Sequence, residues 1–405
     1  MEEAMIDVLV IGTGEYVTGL SGSKTTASDK DLGVVALCLF DLRFRGLLDR
    51  IILCGRDPKR KADITNHVQN GIGSKFTDLD IRFDYYPATG DHPDSAAYRK
   101  AILDLKPGSA VIIVTPDDSH FEIACAALEH GHHILVAKPL VKTVSEHQRL
   151  ISLAEKHGLL GMVEFHKRYD PIYRDAVNRA ASLGNFGYMF SFMSQPKSQL
   201  TTFRDWAGTA SDISYYLNSH HIDILCQILT DRYKPVTVHA SCSSGEGRRV
   251  VGRPIDDTIT LSVKWQGLRA DSLAHSIHTA SWTAPCSDAH SQQRFLYLGA
   301  GGQIEVDQAR RGYSLSTDAD GFRNINPLFM NYIPRDGRFV GQDGYGYRSI
   351  ETFIQLVLEL GENKTTLPSI RASGLPTLED TLATTAILQA GNQSLATGLP
   401  TIVEY

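Results

Sequence analysis

The sequence has 405 residues, which is room for two or three domains with sizeable cores. It is 42% hydrophobic and 21% charged with a formal net charge of -6, the make-up of an ordinary globular protein and not of a general nucleic-acid binder. No apolar run approaches the roughly 20 residues of a membrane span, so no membrane partner is expected.

The start, Met1-Glu2-Glu3-Ala4-Met5, lacks the basic and apolar regions of a secretion leader. Six cysteines (Cys38, Cys54, Cys125, Cys226, Cys242, Cys286) are scattered without a C-x-x-C pair. Free thiols in a reducing cytoplasm are expected from that pattern. His130, His132 and His133 lie at a predicted helix-to-strand turn without metal-ligand spacing, and no metal is expected.

Ile6 to Ile11 reads as a buried parallel strand that stops at Gly12-Thr13-Gly14. Such a turn lets a dinucleotide's pyrophosphate approach the backbone at a helix start, although a tight turn alone uses glycines too. The full G-x-G-x-x-G is not met, because Val17 occupies the third glycine's place. Leu20 to Leu32 is longer than a usual strand-to-helix loop and is rich in Ser, Thr, Lys and Asp. Gly33 to Leu42 then reads as a helix and Arg50 to Cys54 as a strand.

Behind that strand comes Gly55-Arg56-Asp57, where an NAD site often places an acid for the ribose hydroxyls. Arg56 suits a 2′-phosphate instead, which favours NADPH with NADH also usable. Helices over Tyr98 to Leu105, Phe121 to Glu129 and Leu150 to His157 alternate with strands over Ala110 to Val114, His133 to Ala137 and Gly161 to Phe165. Alternation of this kind implies a doubly wound parallel sheet, binding its ligand at the carboxyl ends of the strands. That rim carries Thr115-Pro116 and Ala137-Lys138-Pro139, so Lys138 is placed to bond a reacting carbonyl oxygen.

The second half changes character. Tyr188 to Met193, Val236 to Ala240, Thr258 to Val263 and Phe295 to Leu298 read as strands of a mostly antiparallel sheet, with helices over Tyr215 to Leu229 and Ile350 to Leu360. The predicted fold is therefore α/β: a Rossmann domain over 1–165 and an α+β substrate and oligomerisation domain over 166–405. Tyr216, His220 and Asp223 share one predicted helical face, a possible proton relay, with His221 pointing elsewhere. Between the domains His166-Lys167-Arg168-Tyr169 is basic, and with Arg204 it could hold an anionic substrate group. Gln195 and Lys197 are weaker candidates near a strand end.

In this order the pieces resemble the Gfo/Idh/MocA family of sugar and inositol dehydrogenases. Ile11 to Gly14 resembles its opening turn and Thr115 to His120 its T-P-x-x-x-H segment. Ala126 to Leu140 is similar to A-x-x-x-G-x-x-V-x-x-E-K-P-L, with Ala137 where the family has glutamate. Phe165 to Pro171 resembles its R-x-x-P strand end, and His220 to Asp223 the end of its D-x-x-x-H-x-x-D helix, with Tyr216 in place of the first aspartate.

The resemblance implies catalysis by Lys138 and His220, and Tyr216 is expected to join His220 in supplying or relaying the proton. It also implies a cofactor held by Gly12, Thr13, Gly14, Tyr16, Arg56, Thr115, Pro116, His120 and Lys138. Lys167, Arg168, Arg204, Gln195, His221 and Asp223 are left for the substrate. The Gly-Thr-Gly-Glu-Tyr start and the insertion after it resemble the family's fungal D-galacturonate reductase branch, which implies reduction of a sugar acid to L-galactonate in pectin catabolism. The alternatives are another sugar or inositol dehydrogenase and a non-catalytic dinucleotide-sensing regulator. A homo-oligomer paired through the second sheet is expected from the same resemblance.

Overall fold

The structure is a computed structural model that describes residues 5–22, 24–25, 30–269, 271–285, 291–319 and 321–405. Cys286 and part of the Leu20 to Leu32 stretch lie outside the described residues. Strand β1 (Ile6–Ile11) leads to a one-turn helix α1 (Glu15–Thr18), and the chain resumes as helix α2 (Val35–Phe44). The helix after the first strand is thus split in two, and only its second part was expected.

Alternation continues through β2 (Leu48–Cys54), α3 (Arg60–Val68), β3 (Asp84–Tyr86), α4 (Ala97–Leu103), β4 (Ala110–Ile113) and α5 (His120–Glu129). It closes with β5 (His133–Ala137), α6 (Val144–His157) and β6 (Gly161–Glu164). The six strands pair in parallel in the order β3-β2-β1-β4-β5-β6. The order reverses between β1 and β4, which is where an open sheet of this kind leaves its ligand crevice. Helix α6 starts at Val144, well before the expected Leu150, because the Thr143 side chain accepts from the Glu146 N–H and donates to its carboxylate at 2.8 Å.

After α7 (Pro171–Ser182) the second sheet begins with β7 (Phe186–Pro196). A wide π-turn over Ser214–Asn218 runs into α8 (Ser219–Leu229). Then come β8 (Tyr233–Ser244), β9 (Asp256–Gly267), β10 (Leu273–Ala284), β11 (Gln292–Gly299) and β12 (Gly302–Asp307). Helices α9 (Tyr345–Gly361) and α10 (Leu382–Thr397) and a short β13 (Thr401–Ile402) end the chain. This sheet has the order β12-β11-β7-β10-β9-β8-β13 and is antiparallel except between β7 and β10.

Each sheet buries its own apolar faces. The second half also returns to the first: Phe329, Met330, Tyr345 and the inner face of α9 pack in the core formed by α2, β1 and β2. Among the described residues no helix is long and apolar enough to cross a membrane.

Candidate active site

The cleft is built at the carboxyl rim of the parallel sheet. Gly12 has φ +108°, and a Cβ there would lie 1.9 Å from the Val114 carbonyl oxygen. Only glycine lets β1 end so close to the turn after β4. Gly14 caps α1, and a Cβ built on it meets nothing within 4 Å. That open space, beside the first-turn N–H groups, fits a pyrophosphate.

Thr13 is buried, and its carbonyl accepts from Thr18 and from Arg60 Nη2 at 3.0 Å. The Nε of Arg60 is enclosed without a partner. Arg56 is exposed at the same rim. Asp57 spends a carboxylate oxygen on the Lys59 N–H at 2.9 Å, the cap of a turn. The second strand therefore ends on two guanidinium groups, which fits a phosphorylated ribose better than a bare one.

Thr115 and Pro116 form the turn after β4, with Ser119 donating to the Thr115 hydroxyl at 2.8 Å. His120 does not reach the cofactor cleft as expected. It is buried with Nε2 2.9 Å from the Thr115 carbonyl and Nδ1 3.0 Å from that of Pro139, so its one ring N–H is spent on the backbone of the rim.

Lys138 stands at the end of β5. Its ammonium donates to the Tyr216 carbonyl and lies 3.9 Å from the centre of the Tyr216 ring. The π-turn carries Tyr216 here; turns of this kind redirect carbonyls away from the helical ladder. Burial lowers the Lys138 ammonium to about 8, against the pull of Asp117 and Glu164. Trp282 stacks on Tyr216 at 5.2 Å, and Phe203 and Trp206 pack around it. Gln195 donates to the Tyr216 hydroxyl at 3.3 Å and keeps an enclosed, unpartnered Oε1.

One turn further His220 faces Phe165 and His166, with ring centres 6.4 and 5.1 Å away. Burial, then the charges of Lys138, Lys167 and His166, hold His220 well below the usual histidine range. One residue not singled out in the sequence completes the cleft. Glu164, the last residue of β6 and the register partner of Ala137, accepts from Tyr16 at 3.1 Å and from Ser349 at 2.8 Å. Its other oxygen lies 3.1 Å from His166 Nδ1. Tyr16 is thereby tied to the rim, its ring 6.4 Å from that of His166. An acid two residues before an imidazole at a strand end was the available signal.

Several expected substrate contacts are not in the cleft. Arg168 is buried, with Nε and Nη2 donating to Asp223 at 2.7 and 2.6 Å and Nη1 to Asp380. Its charge is neutralised by protein, so neither Arg168 nor Asp223 can bind a substrate group. His221 lies under Tyr173, its Nε2 2.9 Å from the phenol and its ring against Phe295, fully enclosed in the second core. Arg204 is on the surface and donates to the Val250 carbonyl at 2.9 Å. Lys197 reaches Glu246 at 3.7 Å, also at the surface. Lys167 is buried and donates to the side-chain oxygens of Gln293 and Gln308; burial lowers it to about 7. Among the described residues no group of three or more His, Cys, Asp or Glu is placed to hold a metal.

Residues 54–165 match the Gfo/Idh/MocA oxidoreductase family, NAD-binding Rossmann fold. Over 116 residues the chain is 34% identical to an uncharacterized oxidoreductase, YdgJ, of Escherichia coli, covering 28% of this chain and 34% of that protein. Over 130 residues it is 29% identical to the scyllo-inositol 2-dehydrogenase (NAD(+)) of Bacillus subtilis, covering 32% and 38%. The matched stretch thus spans about a third of these curated relatives. Two solved structures share the whole fold. Apo scyllo-inositol dehydrogenase from Lactobacillus casei has a TM-score of 0.66 at 16% identity, covering 100% of this chain and 99% of that one. GenD2 from gentamicin A biosynthesis, solved with NAD, has a TM-score of 0.68 at 17% identity, covering 100% and 98%.

Proposed function

We propose that this chain, whose residues 54–165 match the Gfo/Idh/MocA oxidoreductase family, is an NAD(P)-dependent oxidoreductase of a sugar or inositol. It would act on a CH–OH group or on the carbonyl that group becomes. The observation that carries this reading is Lys138: a buried ammonium at the carboxyl rim, lowered to about 8, held on the Tyr216 carbonyl one turn before His220. A buried lysine that stays mostly charged in a cleft suits stabilising charge on a reacting oxygen and is costly otherwise.

When bound, the dinucleotide supplies or accepts the hydride. The chain's own residues do the rest. The open space at Gly14 would receive the pyrophosphate, and Arg56 with Arg60 would bind the ribose end, favouring NADPH with NADH also accepted. Lys138 hydrogen-bonds the reacting oxygen and stabilises it as charge develops. Gln195 turns its unpartnered oxygen to a substrate hydroxyl, and the aromatic wall of Phe203, Trp206 and Tyr216 excludes water from that side.

The inositol and aldose reading is favoured over the uronate one by where the cations lie, since Arg168 and Arg204 do not reach the cleft. Reduction of D-galacturonate to L-galactonate remains the narrower proposal, resting on the Gly-Thr-Gly-Glu-Tyr start. A dinucleotide-sensing regulator would have no use for a lysine so tuned. The test is absorbance of NADPH and NADH with D-galacturonate, D-galactose, myo-inositol and scyllo-inositol, in both directions. Turnover of inositols or galactose without galacturonate sinks the narrower reading. Tight cofactor binding with no turnover across a broad polyol panel would sink the enzyme reading.

A further inference from the structure

The two imidazoles that meet in the cleft have opposite surroundings. His220 has its Nδ1 enclosed without a partner among the described residues, while Nε2 is not enclosed. A hydrogen on Nδ1 would be buried and unsatisfied, so the neutral ring carries its hydrogen on Nε2. In that form it offers the cleft a donor and no lone pair. His166 is the reverse. Its Nδ1 lies 3.1 Å from a Glu164 oxygen. A carboxylate only accepts, so Nδ1 carries the hydrogen and Nε2 keeps the lone pair. That Nε2 has no partner among the described residues and is not enclosed.

The His166 ring is also held still. Tyr345 stacks on it at 5.6 Å, Tyr16 at 6.4 Å, and Phe329 packs at 5.7 Å. Glu164 is fixed in turn by Tyr16 and Ser349 on its other oxygen, and it is 6% exposed. The charged and titratable groups around the ring are Glu164 from β6, Tyr16 from α1, His220 from α8 and Tyr345 from α9. Lys167 is next in sequence, and Lys30 lies over the Phe329 ring at 5.5 Å. Among these Glu164 is the carboxylate that the histidine helix lacks at Tyr216.

We propose that His166, oriented by Glu164, is the imidazole that exchanges the substrate proton, and that His220 serves beside it as a neutral hydrogen-bond donor. In the oxidising direction the hydroxyl O–H bond breaks onto His166 Nε2, and the pair left on oxygen becomes the second C–O bond. The C–H bond leaves with its electrons as hydride, so the alcohol is oxidised and the nicotinamide reduced. In the reducing direction the His166 imidazolium returns that proton to the oxygen as the hydride arrives. Glu164 is a positioning residue: it keeps the hydrogen on Nδ1 and so leaves the lone pair on Nε2.

The inference rests on the oxidoreductase reading, and its test has one arm that does not. In the full chain, histidine side-chain nitrogen NMR should find the Nδ1–H form at His166 and the Nε2–H form at His220. In Glu164→Gln the neutral His166 ring should no longer hold the Nδ1–H form alone, since a carboxamide can donate as well as accept. The opposite tautomer in either ring, or an unchanged tautomer at His166 in Glu164→Gln, overturns the proposal with no substrate present. The second arm uses whichever of D-galacturonate, D-galactose, myo-inositol or scyllo-inositol the unaltered protein turns over. His166→Asn should lose about a hundredfold or more in kcat, with cofactor affinity unchanged and its pH limb gone. Glu164→Gln should lose less in kcat with cofactor affinity unchanged, and His220→Asn should keep the limb. A limb kept in His166→Asn and lost in His220→Asn overturns the proposal. Absence of turnover in the unaltered protein, with the expected tautomers in place, would count against the oxidoreductase reading and not against the pair.

Discussion

Lys138 is held twice by the same residue: its ammonium donates to the backbone carbonyl of Tyr216 and sits 3.9 Å from the centre of that residue's ring. The phenol hydroxyl takes no part in either contact. Tyr216→Phe should therefore keep the lysine in place and cost less than about tenfold in turnover. Tyr216→Leu removes a desolvated cation–π contact of about 2 kcal/mol and should cost roughly thirtyfold. Steady-state rates on an accepted substrate check both. Equal losses would move the important group to the hydroxyl.

The same lysine gives stability a pH signature. Its folded value of about 8 lies below the roughly 10.4 of an unfolded lysine. Between those values the unfolded chain binds more protons, so stability rises with pH across that window and is lowest below about 8. Lys138→Met should melt higher than the parent at pH 7, by up to about 3 kcal/mol, and the gap should close towards pH 10. Its turnover should fall by about a hundredfold while cofactor binding survives. Melting curves across pH, with a cofactor titration, test the pair of effects.

Gly12 and Gly14 answer to different demands. Alanine at Gly12 meets the Val114 oxygen at 1.9 Å with φ at +108°, so Gly12→Ala should destabilise the fold by several kcal/mol. Gly14 has an ordinary φ of -79° and open space about its Cβ position. Gly14→Ala should melt like the parent and bind NADPH at least about tenfold more weakly. Thermal shift with and without cofactor separates the two.

Arg56→Ala should raise the KM for NADPH about ten- to hundredfold and leave that for NADH nearly unchanged, the loss of one charge-assisted phosphate contact. Equal effects on both cofactors would assign the phosphate to Arg60 or to neither.

Arg168→Ala tests the burial of that arginine. Removing it leaves Asp223 and Asp380 facing each other without a cation, which should cost about 3–5 kcal/mol. The choice between galacturonate and galactose should be unaffected in whatever protein folds. A selective loss of galacturonate turnover with normal melting would contradict the placement.

Much of the first sheet was legible because parallel strands covered on both faces are plain apolar runs. His133–Ala137 falls between Gly131 and the Lys-Pro turn, and its bounds are those expected. Leu273–Ala284 escaped notice because its inward face is Ala274, Ser276, His278, Ala280 and Trp282, too polar to show alternation. In the site, Lys138 announces itself through its rim position. Arg168 misleads, since its neutralising partners Asp223 and Asp380 lie 55 and 212 residues away. Glu164 was hidden by sitting inside a strand otherwise read as core.

The return of α9 to the first core, with Ser349 bonded to Glu164, bears on how such a molecule can be rearranged. A graft of residues 5–165 onto a foreign partner would leave the apolar side of α2 bare and Glu164 short of one donor. Recombination that preserves a working cleft must carry residues 329–361 along with the first 165. The module exchanged in descent or by design is accordingly discontinuous in the chain, and it must also keep His166, Tyr216 and His220, which reach the same cleft from the stretch between.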